Sequence, residues 1–203
     1  HPSWSLAPPV QSLPWPVQDL PQRMAEAGVR AIRLFPGHLH FTLEDWNLHE
    51  ILEVLEAQRV PVFIDPTPVL VAPGRDLTDW DAMVRLCNAH PDLPVIATEF
   101  RWYWPNRTWW AAMEAAPHLH LAVSPFWSYG GIEFCCPARG PERPPFGTPL
   151  PVREAAATVA YLPYQQVSDD EQHAIVAGIL KRRCGNGLQG RVRVGGVDED
   201  VGV

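Results

Sequence analysis

VPVFIDP, residues 60–66, sets Val, Phe and Ile side by side with no polar residue between them and then stops at Asp65-Pro66. A strand reads this way when both of its faces are buried. Four further runs share the form: AIRLFP (31–36), LPVIATEF (93–100), LHLAVSP (119–125) and PPFGTPLP (144–151). Helical stretches separate most of them. Buried strands alternating with helices predict an α/β fold, with one parallel sheet in chain order and about five βα units. The chemistry of such folds sits where strands end and loops begin. That rule singles out His38, His40, Asp65, Glu99, Arg101, Ser124 and Thr148.

The intervening segments carry helix signals. One helix is expected over 19–28, capped at Asp19 and stopped by Gly28. A second follows Thr42, with Leu48, Ile51, Leu52 and Leu55 at i, i+3, i+4, i+7 as its buried stripe. A third runs from Thr78 to His90 with Met83, Leu86 and Cys87 inward, closed by Pro91. A fourth lies near 107–116, short helical turns are expected near 130–135, and another helix follows Pro151 to Leu162. Ser168-Asp169-Asp170-Glu171 is a full capping box. Ile175, Val176, Ile179 and Leu180 mark one face of the helix that it opens.

The organisation expected is one barrel-like domain over 1–183 and a tail. Residues 1–17, with five prolines, read as an extended lead-in, and the Gly-rich stretch 184–203 reads as disordered. At 203 residues, a single domain with a real core is the default. The net charge of −7 and scattered basic residues argue against nucleic acid as a partner. No run approaches the ~20 apolar residues of a membrane span, and no signal peptide opens the sequence, so the expected compartment is the cytoplasm. Cys87, Cys135, Cys136 and Cys184 lack CxxC spacing and read as reduced thiols.

Several phrases, in order, resemble the C-terminal part of the amidohydrolase-related TIM-barrel family, a group of metal-dependent hydrolases and decarboxylases. GVRAIRLFPGHLHFTLEDW is similar to the family's fourth strand and its loop, RVPVFID to the fifth, and HPDLPVIATEF to the sixth. LHLAVSPFWSYGGIEF resembles the seventh strand and its helix; FGTPLP and VSDDEQHAIVAGILKRR resemble the ending. The resemblance covers about residues 20–183. It implies a partial (β/α)8 barrel whose first three βα units are absent, and a bound metal; read from the residues, His38 and His40 with Asp65 and Glu99 would make a mixed N/O site fit for zinc or manganese. It also implies metal ligands that differ here: strand five ends in Asp65, strand six in Glu99, and the last strand's Asp position holds Pro149 after Thr148.

His38-Leu39-His40 follows a strand, and two imidazoles two apart on an extended backbone point the same way, which suits one metal ion. The same pair would equally be two solvated histidines on a loop. Asp65 and Glu99 are the candidate catalytic carboxylates, able to split acid and base roles. Arg101 would clamp a substrate carboxylate or simply pair with either acid. Trp102 and Trp104 after strand six, with Trp127 and Tyr129 after strand seven, would line a site for a planar substrate, as would Thr148. Packing of barrel against helix is the competing reading for the aromatic residues, Trp109 and Trp110 included. His118-Leu119-His120 sits at a strand's start, away from the chemistry.

The function expected is a metal-dependent hydrolase of the amidohydrolase-related group, acting on a small organic amide, ester or acid. The alternatives are a non-oxidative decarboxylase and a catalytically inactive barrel with a binding or structural role. The partner expected is a small molecule. Open strand edges at 31–36 and 145–148 would favour self-association, including a homo-oligomer.

Overall fold

The computed structural model describes residues 3–8, 13–66, 78–98, 108–122, 132–133, 164, 166–173 and 175. The expected parallel sheet is present. Its strands are β1 (Ser3–Leu6), β2 (Ala31–Leu34), β3 (Val62–Ile64), β4 (Val95–Ala97) and β5 (Leu119–Leu121), in the spatial order β1-β2-β3-β4-β5. Ile32 lies opposite Val62, and Val62 opposite Val95, all in parallel register. The chain divides into two compact units, His1–His120 and Leu121–Val203.

Two expectations about the strands change. The lead-in 1–17 contains β1, which pairs with β2 through Ser3–Ala31, Trp4–Ile32, Ser5–Arg33 and Leu6–Leu34. SWSL has serine at alternate positions and prolines nearby, so its sequence lacks the apolar continuity that marks the other strands. Residues 31–36 therefore do not form an open edge, and one βα unit precedes the first that was expected. The fifth expected run, 144–151, lies outside the described residues, as do the helix to Leu162 and the tail 184–203.

The helices are α1 (Leu20–Glu26), α2 (Pro36–Leu39), α3 (Asp45–Ala57), α4 (Trp80–Ala89), α5 (Thr108–Ala115) and, in the second unit, α6 (Asp169–His173). Parallel strands taken in sequential order with right-handed crossovers put the crossover helices on one face of the sheet. The strand residues on that face, Ile32, Leu34, Val62, Ile64, Val95 and Ala97, are fully buried. Leu48, Ile51, Leu52 and Leu55 of α3, with Met83, Leu86 and Cys87 of α4, complete the same core. Among the described residues no helix is long and apolar enough to cross a membrane.

Helix ends follow from local chemistry. Asp79 caps α4, its carboxylate accepting from the Ala82 amide at 2.9 Å. Thr42 does not cap α3: Glu44 holds that position without a side-chain bond, and Asn47 Nδ2 donates to the Thr42 carbonyl instead. α1 and α3 end in the same way. Val29 N–H donates to Met24 O and Gly28 N–H to Ala25 O; Val60 N–H donates to Leu55 O and Arg59 N–H to Glu56 O. This pair of bonds needs a left-handed residue, which is Gly28 (φ 67°) in α1 and Arg59 (φ 51°) in α3.

In the second unit the capping box forms as read. Glu171 N–H donates to Ser168 Oγ at 3.3 Å, and Ser168 N–H donates to Glu171 Oε2 at 2.8 Å. The bond from the Ser168 amide is the main reason that the Glu171 carboxyl sits below the usual glutamate range. Gln166 N–H donates to Glu133 Oε1, and Ile132 and Ile175 are buried.

Candidate active site at the strand ends

The parallel ladder runs one residue past β2, β3 and β4. Asp65 N–H donates to Leu34 O at 2.9 Å, and Thr98 N–H to Ile64 O at 2.8 Å. These bonds carry the side-chain alternation onward. Phe35, Asp65 and Thr98 therefore form a row at the C-terminal strand ends, on the face opposite the helices. Asp65 and Thr98 are buried polar residues, 8% and 3% exposed. The Thr98 hydroxyl is satisfied by donating to Ile64 O at 3.1 Å. Thr98 carried no site signal in the sequence, because it sat inside an apolar run as one more β-branched residue.

His38 and His40 do not have the extended geometry expected of them. Pro36 occupies the first turn of α2, so His38 lies in a helical turn and His40 in a left-handed cap at φ 55°. Residues two apart on a helix do not face one side, and both histidines are exposed. The His38 ring instead meets Phe35 edge-on, with centroids 5.8 Å apart at 75°. The sequence signal missed was Pro at a favoured first helical position immediately after the strand.

Asp65 stands where expected, at the end of β3. Glu99, Arg101, Trp102, Trp104, Ser124, Trp127, Tyr129 and Thr148 lie outside the described residues. Trp109 is buried on α5 and stacks edge-on with Trp110, with centroids 5.5 Å apart, so its role is packing. His118 is exposed and precedes β5, while Asp65 follows β3. In a parallel sheet those are opposite ends, as expected.

One constellation among the helices was not anticipated. His90, buried at the end of α4, places Nδ1 2.7 Å from Glu56 Oε2 and Nε2 3.3 Å from Asp45 Oδ1. It lies at the N-terminal side of β4, the stability side of such folds, and reads as a structural tie.

The donor set does not assemble a metal centre among the described residues: no group of three or more His, Cys, Asp or Glu side chains is placed to hold an ion there. His38 and His40 lie in a helical turn and its left-handed cap, not side by side on an extended strand.

No family model matches the chain, and no curated relative matches it. Solved structures do. A TIM-barrel protein from Bordetella bronchiseptica aligns with a TM-score of 0.66 at 20% identity, over 90% of this chain and 65% of that one. 5-Carboxyvanillate decarboxylase from Sphingomonas paucimobilis aligns at 0.64 and 11%, over 83% and 62%. A dihydroxybenzoic acid decarboxylase from Polaromonas, with manganese and 2-nitroresorcinol bound, aligns at 0.57 and 13%, over 82% and 64%. Amidohydrolases and a dihydroorotase are among the other matches. The fold is thus that of TIM barrels, and the chain spans somewhat under two thirds of the first structures it matches.

Proposed function

We propose that the chain carries part of the catalytic face of an amidohydrolase-like enzyme acting on a small organic amide, ester or acid. The observation that supports this reading most is Asp65: a carboxylate buried at the C-terminal end of a parallel strand, on the face away from the helices, where TIM-barrel chemistry is found. Asp65 would act as base or acid towards substrate, with Glu99 as its counterpart and Arg101 orienting the substrate. Trp102, Trp104, Trp127, Tyr129 and Thr148 would line the bound molecule.

The neighbour holding manganese supports a divalent metal, zinc or manganese, in this reading. The described residues do not build that site, so no step is derived through it. Decarboxylation of a small aromatic acid is the second reading. It is favoured by the decarboxylases among the structures of the same fold.

The test is turnover of a panel of amides, esters, lactones and hydroxybenzoates by the 203-residue chain, with manganese or zinc and with a chelator. Asp65→Asn, which keeps volume and removes the charge, is expected to lower turnover by about 10²-fold or more while the melt stays close to that of the parent. Undiminished turnover in Asp65→Asn would remove Asp65 from the chemistry. No turnover with any substrate class or metal would leave the inactive barrel as the better reading.

A further inference from the structure

The row of side chains immediately below Asp65 contains a charge that the site above does not use. Along β2, Ile32 and Leu34 point into the helix-covered core, so Arg33 points to the opposite face. Ser5 on β1 and Phe63 on β3 are its register partners and share that face. Arg33 and Phe63 are half-buried, and Ser5 is exposed. The guanidinium carbon lies 5.8 Å from the Phe35 ring centroid and 5.9 Å from that of Phe63. Among the described residues no carboxylate lies within ion-pair distance of Arg33.

That environment is unusual for an arginine. A strand position facing an apolar core would reject it, and a surface arginine commonly finds an acid. Here two rings lie within cation–π reach of the guanidinium carbon, and its N–H groups make no ion pair with a described carboxylate. A planar fork of this kind matches a carboxylate in a bidentate way. The flanking rings suit a flat, apolar body attached to that carboxylate. Asp65 stands on the same face, two residues beyond Phe63 along β3. A molecule anchored at Arg33 would thus extend towards Asp65 at the strand ends.

We propose that Arg33, flanked by Phe35 and Phe63, seats the carboxylate of a small, flat organic acid. This rests on the enzymatic reading above and narrows its substrate class from amides, esters or acids to carboxylates. It adds a residue that sequence reasoning passed over, because Arg33 sat within an apolar strand.

The probes are benzoate and benzamide, which share a shape and differ in charge. Each is titrated into the 203-residue chain, without added metal, and followed by NMR at the Arg33 Nε–H and the Phe35 and Phe63 amides. Benzoate is expected to shift these signals saturably and benzamide to bind about tenfold more weakly or less. Arg33→Met is expected to weaken benzoate by about tenfold or more and to leave benzamide unchanged. Arg33→Lys keeps the charge and loses the fork, so an intermediate affinity is expected; it carries the test if Arg33→Met does not fold. Equal binding of the two probes, shifts confined to other residues, or parental benzoate affinity in the variants that fold would each overturn the proposal. The two readings fail separately. Arg33-dependent benzoate binding without turnover of any panel substrate removes the enzyme and keeps the seat. Turnover abolished by Asp65→Asn with no Arg33-dependent benzoate binding does the reverse.

Discussion

Replacing His90 should expose how much of the first unit's stability hangs on one imidazole. Its side chain is 6% exposed and bridges two carboxylates on α3. Asp45 and Glu56 are eleven residues apart, about three helical turns, so they lie on one stripe of α3. A carboxylate only accepts, so the nitrogen facing Glu56 at 2.7 Å carries the hydrogen and donates. Glu56 is 22% exposed, and its other oxygen accepts from the Asp92 amide at 3.0 Å. A hydrogen bond to a charged group of this kind contributes about 1.5–3 kcal/mol. The contact with Asp45 is longer and its partner 55% exposed, so it adds about 0–1 kcal/mol. His90→Ala should therefore cost about 2–4 kcal/mol, once the small void is included. For a chain of this size that lowers the melting temperature by roughly 5–15 °C. Two further variants separate the bonds. Asn places its amide where Nδ1 lies and can keep the Glu56 bond, so His90→Asn should cost about 1 kcal/mol. Gln reaches the Nε2 position and keeps only the weaker contact, so His90→Gln should lose about 2 kcal/mol. Urea titration and thermal melts followed by circular dichroism measure all three. Parental stability in His90→Ala, or better tolerance of Gln than of Asn, would refute the assignment of the stabilisation to Glu56.

Leu52→Ala removes a fully buried side chain between α3 and its neighbours and should cost about 2–5 kcal/mol in the same urea titration. Gly28→Ala should destabilise by about 1–2 kcal/mol, since φ is +67° and nothing lies within 4 Å of an added Cβ; the cost is purely conformational. Arg59→Gly relieves the same left-handed strain but loses the exposed 2.7 Å ion pair with Asp92, so its net effect should be within about 1 kcal/mol of zero. Glu171 has a depressed carboxyl pKa in the fold, so its capping contribution is present above the ordinary glutamate pKa and is lost as pH falls through the lowered value. Amide exchange at Ser168 should quicken relative to neighbouring amides over that acid range and not above it, and Glu171→Gln should flatten the dependence.

The division between what the sequence decides and what needs the tertiary structure follows the range of the forces involved. Apolar runs such as VFI and VIA specify buried strands because hydrophobic burial depends on composition within a few residues. The stripe Leu48, Ile51, Leu52 and Leu55 specifies a helix face for the same reason, and Gly28 and Ser168 mark helix ends through local backbone chemistry. The parallel order β2 to β5 follows from these elements by handedness alone. β1 could not be read in this way: SWSL becomes a strand through the ladder that β2 offers it, which is a non-local contact. His38 and His40 were misjudged because a proline placed after a strand turned an expected extended pair into a helical turn. Trp109 and Trp110 looked the same in sequence as rings lining a site, and only packing put Trp109 in the core. Placement of the candidate residues divides similarly. The position of Asp65 at the end of β3 was legible, since it directly follows an apolar run. The Arg33–Phe63 contact and the structural His90–Glu56–Asp45 tie were not, because each joins residues about 30 or more positions apart that only the folded chain brings together.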